Sequence, residues 1–217
     1  KILIKDWYKE VQPLDKSDIK ILRSFPFDEK EFKKEYGIKE FLGNKSGLEI
    51  KKSLVAEPTC NIAGIVSGYH GEGAKTVLPA EARVKIDFRL VPKMNPKKQV
   101  MRLKRHLKAK GFSDIKIKVY HGEAAARTNP KHPFVSDVTE AARKSFGKYV
   151  LSVSSAGTGP MHSFTHILKA PAIAIGSTYV FSRIHSPNEF TRIDLLKKTT
   201  KCMCLVLDNF ARSTNIL

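Results

Sequence analysis

Hydrophobic and polar residues alternate most regularly in the segment Ala82–Val91. Every second residue from Ala82 to Leu90 is apolar, and the residues between them are charged. This period-two alternation predicts a strand with one buried face. The largely apolar segment Thr59–Tyr69 predicts another strand, and the glycines at 71 and 73 predict a turn after it.

Helical periodicity and capping residues predict several helices. The pattern favours helix starts after Asp15 and at Pro96, because Asp is a good N-cap and Pro is tolerated in the first turn. Further helices are predicted over Asp28–Tyr36 (ending at Gly37), Val135–Phe146 and Met161–Lys169. A final helix begins near Ile193, and its core face is predicted from the 3, 4, 3, 4, 3 spacing of Ile193, Leu196, Thr200, Met203, Leu207 and Phe210.

Four shorter apolar segments predict additional strands: Ile2–Tyr8, Ile115–Val119, Tyr149–Val153 and Ala172–Ile175. The first part of the chain therefore predicts an α+β layer, an antiparallel sheet with helices on one face. From about Gly122 helices and strands alternate as in an α/β domain, although about two strands are fewer than such a sheet normally has. The fold class predicted for the whole chain is α/β.

Composition and charge narrow the range of functions. The 217 residues are 41% hydrophobic, contain three cysteines and include no apolar run long enough to span a membrane. This composition favours a globular protein of the reducing cytoplasm. Lys plus Arg outnumber Asp plus Glu by 39 to 21, a net charge of +18. The basic residues are spread along the chain, without the aromatic patterns of RNA-binding modules, so a nucleic-acid partner is not favoured.

Few residues form a recognisable chemical site by spacing alone. His162 and His166 could share a metal on one helix face, but no acidic third ligand is near them in the sequence. Cys202 and Cys204 would point in different directions on a helix, so we expect core-filling or free thiols. The loop containing Gly157 and Thr158 could hold an anion or simply form a tight turn. His185 lies in a polar loop and is a candidate ligand without an evident partner.

Three sequence strings resemble the lid domain of the co-catalytic zinc metallopeptidases. These are Pro58-Thr59-Cys60-Asn61-Ile62-Ala63-Gly64-Ile65, Gly68-Tyr69-His70-Gly71-Glu72-Gly73-Ala74-Lys75-Thr76-Val77-Leu78-Pro79 and Lys85-Ile86-Asp87-Phe88-Arg89-Leu90-Val91-Pro92. Gly157-Thr158-Gly159-Pro160 and His185-Ser186-Pro187-Asn188-Glu189 follow in the family order. The family includes carnosinase-type dipeptidases, aminoacylases, acetylornithine deacetylases and succinyl-diaminopimelate desuccinylases, and the long Gly-Glu-Gly-Ala-Lys-Thr string places the resemblance nearest the carnosinase branch.

The resemblance implies a role for five residues. His185 would be a ligand to one of two zinc ions, and Thr76 would reach the substrate of the neighbouring subunit in a homodimer. Arg89, Thr158 and the Gly157 loop would bind the carboxylate of a dipeptide or N-acyl amino acid, a task that suits a guanidinium fork and loop donors. Two metal ions would polarise the scissile carbonyl and activate a water.

This sequence departs from the family pattern in two respects. The usual Glu-Gly-Gly-Ser-x-Pro loop reads Ser155-Ala156-Gly157-Thr158-Gly159-Pro160, so its acidic residue is replaced. The other metal ligands and the Glu-Glu pair with the general base are absent, which leaves no catalytic residue in this chain. We therefore expect a C-terminal portion of a longer enzyme, with an incomplete lid or dimerisation domain at 1–121 and the end of the catalytic domain at 122–217. By itself this portion should be inactive and bind zinc weakly at best.

Two other functions remain open. The chain could be a basic binding module whose helix Pro96–Lys110 contacts nucleic acid or an acidic partner. The lid could also serve as a dimerisation platform without catalysis.

Overall fold

The computed structural model describes residues 1–176 and 178–214, which contain α-helices and one two-stranded antiparallel sheet. In chain order the elements are α1 (Lys16–Ser24), α2 (Glu29–Tyr36), α3 (Gly47–Ala56), β1 (Thr59–Ser67), β2 (Ala82–Arg89), α4 (Pro96–Ala109), α5 (Pro133–Phe146) and α6 (Ile193–Thr214). A 3₁₀ turn occupies Leu42–Asn44, and a π-helical turn occupies Ser163–Ile167. No helix of the described residues has the length and apolar character needed to cross a membrane.

The chain divides into two compact units. The first unit combines Lys1–Pro13 with Ala56–Ala125, and the second combines Leu14–Val55 with the described residues from Ala126 onward. The second unit is thus built from two separate stretches of sequence. The functional domains expected at 1–121 and 122–217 remain a prediction.

The hairpin of the first unit confirms the two strands predicted there. Its antiparallel register places Thr59 opposite Arg89 and Ser67 opposite Ala82, with an irregularity between Ile62 and Gly64. The prediction of one buried face is wrong, because nearly all side chains on both faces of the hairpin are exposed. The alternation of apolar and charged residues shows which side chains share one face of the strand. It contains no information on whether another element covers that face.

The core of the first unit forms around Trp7, whose side chain is 1% exposed and packs with Val91 and Met94. The Trp7 and Phe88 rings lie 4.7 Å apart between centroids. The strand predicted over Ile2–Tyr8 is wrong, because this segment forms consecutive turns in which the Trp7 N–H donates to the Ile4 carbonyl at 3.1 Å. Coiling brings the apolar side chains of the segment around the indole, which an extended strand with alternating sides would not do.

An ion pair links the N-terminal segment to α4. The helix begins as predicted, with the Asn95 side chain accepting from the Lys98 N–H at 3.1 Å. From α4, Arg102 donates two hydrogen bonds to the Glu10 carboxylate, at 2.7 and 2.9 Å, and Gln99 adds a third at 3.0 Å. These charge-assisted bonds lower the pKa of Glu10, chiefly through Arg102, against the opposing effect of burial.

Capping explains the two helices that open the second unit. At α1 the Asp15 carboxylate accepts from the Asp18 N–H at 2.8 Å, a bond that lowers the pKa of Asp15. At α2 the Asp28 carboxylate accepts from two backbone N–H groups at 3.0 Å, and Gly37 ends the helix at a φ of +62°. Both helix predictions are confirmed, whereas α3 was not predicted.

Helices α5 and α6 form the main core of the second unit, where Val138 and Ala141 pack against Cys202 and Val206. The helix predicted from Ile193 is confirmed, but its predicted core face is wrong. The apolar members of that face are about half or more exposed, and the buried side is the one that carries Cys202. Helix α6 is apolar on more than one side, so spacing alone selected the wrong side. Cys202 is a free thiol, as expected, and its burial raises its pKa.

Three further strand predictions are wrong, because Ile115–Val119, Tyr149–Val153 and Ala172–Ile175 join no sheet among the described residues. A strand exists only when a neighbouring backbone completes its hydrogen-bond ladder. At Ala172 a side chain takes that role, since the Thr128 hydroxyl donates to the Ala172 carbonyl at 2.7 Å and accepts from its N–H at 2.9 Å. The helix predicted over Met161–Lys169 appears as a π-helical turn.

Candidate functional site

The five residues that the resemblance singles out lie in both compact units. Thr76 and Arg89 belong to the first unit, and Gly157, Thr158 and His185 belong to the second.

Thr76 lies on the exposed loop that joins β1 to β2. It is the central residue of a three-residue turn, closed by a hydrogen bond of 3.1 Å from the Val77 N–H to the Lys75 carbonyl. Earlier in the loop the Tyr69 hydroxyl donates to the Glu72 carbonyl at 2.9 Å. In this conformation the Tyr69 hydroxyl would clash with a Cβ added at Gly71. The loop therefore presents Thr76 to solvent on a turn with internal hydrogen bonds.

Arg89 is the last residue of β2, and its guanidinium is held by a neighbour on the same strand. Its Nε donates to the Asp87 carboxylate at 3.2 Å, and both side chains are about half exposed. Residues two apart on a strand share one face, which explains this pairing. The arrangement fixes the guanidinium at the end of the hairpin while leaving much of its surface accessible to an anionic ligand.

Gly157 and Thr158 lie on an exposed loop that leads to the π-helical turn. The Gly157 N–H donates to the Ser155 hydroxyl at 3.1 Å. The Ser155 hydroxyl therefore accepts the hydrogen bond that the Gly157 N–H was expected to offer to an anion. A bound carboxylate would have to displace this hydroxyl. Ser155 stands two residues before the glycine, at the position where the family loop has its acidic residue.

His185 lies on an exposed loop with an unusual backbone. Arg183, His185 and Asn188 all have positive φ angles, of 57°, 62° and 61°. Such left-handed conformations are unfavourable for residues other than glycine and concentrate at functional sites. Within the loop, the His185 N–H donates to the Glu189 carboxylate at 3.4 Å.

Among residues 1–176 and 178–214, no three His, Cys, Asp or Glu side chains come together in a way that could hold a metal ion. His185 therefore supplies at most one ligand, and a complete metal site would need others. His162 and His166 stack with their ring centroids 4.2 Å apart and their planes 21° from parallel. Nearly parallel rings direct their in-plane lone pairs side by side, so this conformation does not form a chelate.

The sequence did not predict one group of residues, which reaches the segment just before His185. Six aromatic side chains from the segments 27–41 and 179–181 form a connected set, here called the aromatic cluster. Its members are Phe27, Phe32, Tyr36, Phe41, Tyr179 and Phe181. The frequent aromatic residues of the first segment were the available signal, but their charged neighbours suggested only a short solvated helix.

Comparisons with known proteins find that the chain is similar to M20 peptidases. The M20 family described as a peptidase dimerisation domain matches residues 21–115. Beta-Ala-His dipeptidase of Homo sapiens is 28% identical over 200 residues, which is 87% of this chain and 38% of that protein. Cys-Gly metallodipeptidase DUG1 of Saccharomyces cerevisiae is 30% identical over 110 residues, 51% of this chain and 23% of that protein.

Solved structures support the same relationship. An M20 family metallo-carboxypeptidase from Sulfolobus solfataricus, Sso-CP2, superposes with a TM-score of 0.83 at 33% identity, over 95% of this chain and 47% of that chain. Human carnosine dipeptidase 1 superposes with a TM-score of 0.79 at 26% identity, over 96% of this chain and 46% of that chain. The α/β class is confirmed, and so is the resemblance to the carnosinase-type metallopeptidases. The chain spans less than half the length of these relatives.

Proposed function

From the relationship of this chain to the M20 metallopeptidases, we propose that it is the C-terminal portion of a metal-dependent dipeptidase or amidohydrolase. The enzyme hydrolyses a peptide or N-acyl amide bond next to a free carboxylate. The observation that carries the proposal is the likeness to Sso-CP2 over 95% of the chain, at 33% identity. Relatives named dipeptidase in human and yeast support the substrate class.

His185 has the role of a metal ligand in this proposal. His185 would help to hold a metal ion, zinc in most enzymes of this type, which would supply polarisation of the scissile carbonyl and activation of a water. Because the described residues contain no group of three side chains that could hold a metal ion, the ion depends on further ligands from outside this chain. The isolated chain is therefore expected to be inactive and to retain zinc weakly.

The metal role is tested in the longer protein by comparing His185→Ala with His106→Ala. His106 is a matched control because it lies on α4, in the other compact unit. The measurements are bound zinc by elemental analysis and amino-acid release from a panel of dipeptides and N-acyl amino acids, with and without a chelator. We expect H185A to lose about 100-fold or more in kcat/KM and to retain less zinc, while H106A retains both. Equal zinc content and activity in the two variants would exclude this role of His185.

Arg89, Thr158 and Gly157 bind the substrate carboxylate in this proposal. The exposed guanidinium at the end of β2 supports the assignment, since a planar fork pairs well with a carboxylate. The test compares a dipeptide with the same dipeptide amidated at its C-terminus. Arg89→Met is expected to lower kcat/KM about 10–100-fold for the free acid and much less for the amide. An equal loss of kcat/KM for both substrates would mean that Arg89 does not bind the carboxylate.

Thr76 serves the neighbouring subunit in the proposed homodimer. Its exposure on a turn fits a role outside its own protomer. The test mixes two inactive proteins, one carrying Thr76→Ala and the other carrying His185→Ala. If Thr76 acts across the interface, the mixed dimer contains one intact site and regains activity. If mixing restores nothing although mixed dimers form, Thr76 does not act in this way.

The dimer forms through the lid domain in this proposal. The matched family is described as a peptidase dimerisation domain, and the hairpin exposes apolar side chains such as Ile62, Ile65 and Val84. An exposed apolar surface of this kind is typical of an interface. Light scattering tests the proposal, since Ile65→Lys should shift the mass from dimer to monomer.

A cytoplasmic location is also proposed, because the cysteines are free thiols.

The alternative is a basic module that binds an acidic partner without catalysis. The exposed lysines and arginines of α4 favour it: Lys97, Lys98, Lys104, Arg105 and Lys108. Such binding is electrostatic and weakens steeply with salt. Fluorescence anisotropy with a DNA duplex at several salt concentrations tests it, and flat anisotropy at low salt would exclude nucleic acid as the partner.

A further inference from the structure

The loop that carries His185 is anchored at both ends. At its start, Phe181 is 9% exposed and Ser182 is fully buried. The Ser182 carbonyl accepts from the Phe190 N–H at 3.1 Å, and the Ser182 N–H donates to the Tyr179 carbonyl at 3.0 Å. The exposed residues from 183 to 189 therefore form a closed loop whose base is buried at Phe181 and Ser182.

The loop needs such an anchor because its own backbone is strained. Three of its residues other than glycine have positive φ angles, including His185 itself. Strained conformations of this kind persist only where the surrounding structure fixes them. Within the loop the Ser186 N–H donates to the Arg183 carbonyl at 2.9 Å, and the contact from the His185 N–H to Glu189 is long at 3.4 Å.

The anchor is the aromatic cluster. The Phe181 ring meets Phe32 of α2 edge to face, with 5.1 Å between centroids, and lies 6.4 Å from Tyr36 on the same helix. Phe32 in turn stacks on Phe27 at 4.5 Å. These centroid separations are typical of favourable aromatic pairs. Helix α2 therefore holds the start of the His185 loop in place through contacts between aromatic rings.

Helix α2 is a suitable support because it is capped at both ends, by Asp28 and by Gly37. Its other side chains are mostly charged and exposed, so the aromatic residues are its main contribution to the packing of the second unit. The loop and the helix lie about 150 residues apart in the sequence but within the same compact unit.

We propose that the aromatic cluster positions His185, and that Phe32 and Phe181 are positioning residues for the imidazole. The metal-binding role of His185 comes from the proposed function. The anchoring of the loop by α2 is a separate claim about this chain. A helical segment from the first quarter of the chain thereby controls the orientation of a residue near its end.

The test compares Phe32→Ala with Phe134→Ala in this chain. Phe134 is the matched control because it is a half-buried aromatic residue of the same unit, packed near Phe210 in the α5–α6 core. Hydrogen exchange of residues 183–189 is measured together with the NMR signal of the His185 imidazole in protein labelled at histidine. We expect F32A to accelerate exchange in this loop about tenfold or more and to shift the His185 signal. F134A should leave both unchanged at an equal folded fraction.

A conservative variant keeps the test valid if F32A unfolds the chain. Phe32→Tyr retains the ring at a half-buried position and should restore wild-type exchange, whereas Phe32→Leu should not. If the F32L variant, or F32A where it folds, leaves the loop exchange unchanged, or if F134A has the same effect, the anchoring proposal is wrong.

The outcome is separable from that of the proposed function. One outcome is a shifted His185 signal in F32A together with normal zinc content in the longer protein carrying H185A. It would support the anchoring of the loop and exclude metal binding by His185. Zinc loss in H185A with an unchanged loop in F32A would do the reverse.

Discussion

Removing the negative charge of Glu10 should destabilise the first compact unit more than removing a charge from any surface ion pair would. Glu10 accepts two hydrogen bonds from Arg102 and one from Gln99, at 2.7–3.0 Å. The Arg102 side chain is 8% exposed and the Glu10 side chain 19%. Glu10→Gln leaves a buried guanidinium without its counter-charge.

The magnitude follows from this burial. Removing one partner of a fully buried ion pair costs about 3–5 kcal/mol, because the other charge stays buried and unpaired. Since water can reach part of Glu10, and glutamine keeps one acceptor oxygen, we expect about 2–3 kcal/mol. For a chain of this size that corresponds to a loss of about 5–10 °C in Tm.

Chemical denaturation followed by tryptophan fluorescence measures the effect directly. Trp7 is the one tryptophan of the sequence and lies in the core of the first unit. Glu81→Gln is the control: Glu81 belongs to the same unit and pairs with Arg83 at 2.8 Å, and both side chains are largely exposed, so its loss should change stability little. Equal effects of E10Q and E81Q would refute the reasoning.

The pH dependence gives a second check on Glu10. Hydrogen bonding from Arg102 lowers the pKa of Glu10 in the folded protein. The stabilisation is therefore fully present above the ordinary glutamate pKa of about 4.3 and is lost as the pH falls through the lowered folded pKa. The stability difference between wild type and E10Q should shrink in acid, and a difference that grows in acid would contradict the assignment.

Three further substitutions test the packing of the second unit by chemical denaturation followed by far-UV circular dichroism, because Trp7 lies in the first unit. Thr128→Val should cost about 1–2 kcal/mol, because the N–H and C=O of Ala172 lose their shared partner, and Thr128→Ser should restore most of it. Ser182→Ala should be neutral or stabilise by about 1 kcal/mol, since its buried hydroxyl has no hydrogen-bond partner among the described residues, and a clear loss would contradict this. Ala141→Leu should cost about 1–3 kcal/mol, because Ala141 is fully buried against α6, and an unchanged midpoint would indicate unfilled space there.

Local signals in the sequence predicted the elements that depend on neighbouring residues. Asp15 caps α1 as expected, α2 lies within the helix predicted over Asp28–Tyr36, and the alternation around Ala82 predicted β2. The strings around Thr76, Arg89 and His185 predicted the resemblance to the zinc metallopeptidases that the comparisons confirm, because motif order requires no knowledge of the packing. Each of these features depends on side chains within a few residues of one another.

Burial and strand pairing required the tertiary structure. The segment Ala172–Ile175 has the composition of a buried strand, yet its pairing at Ala172 is with the Thr128 side chain. Helix α6 buries the side that carries Cys202, although another side has the more regular spacing. The loop that carries His185 starts at Phe181, whose ring packs on Phe32 of α2. The segment Ile2–Tyr8 was predicted as a strand, but it forms turns around Trp7. In each case the deciding contact joins residues far apart in sequence, and hydrophobic periodicity contains no information about which distant surface will cover a given face.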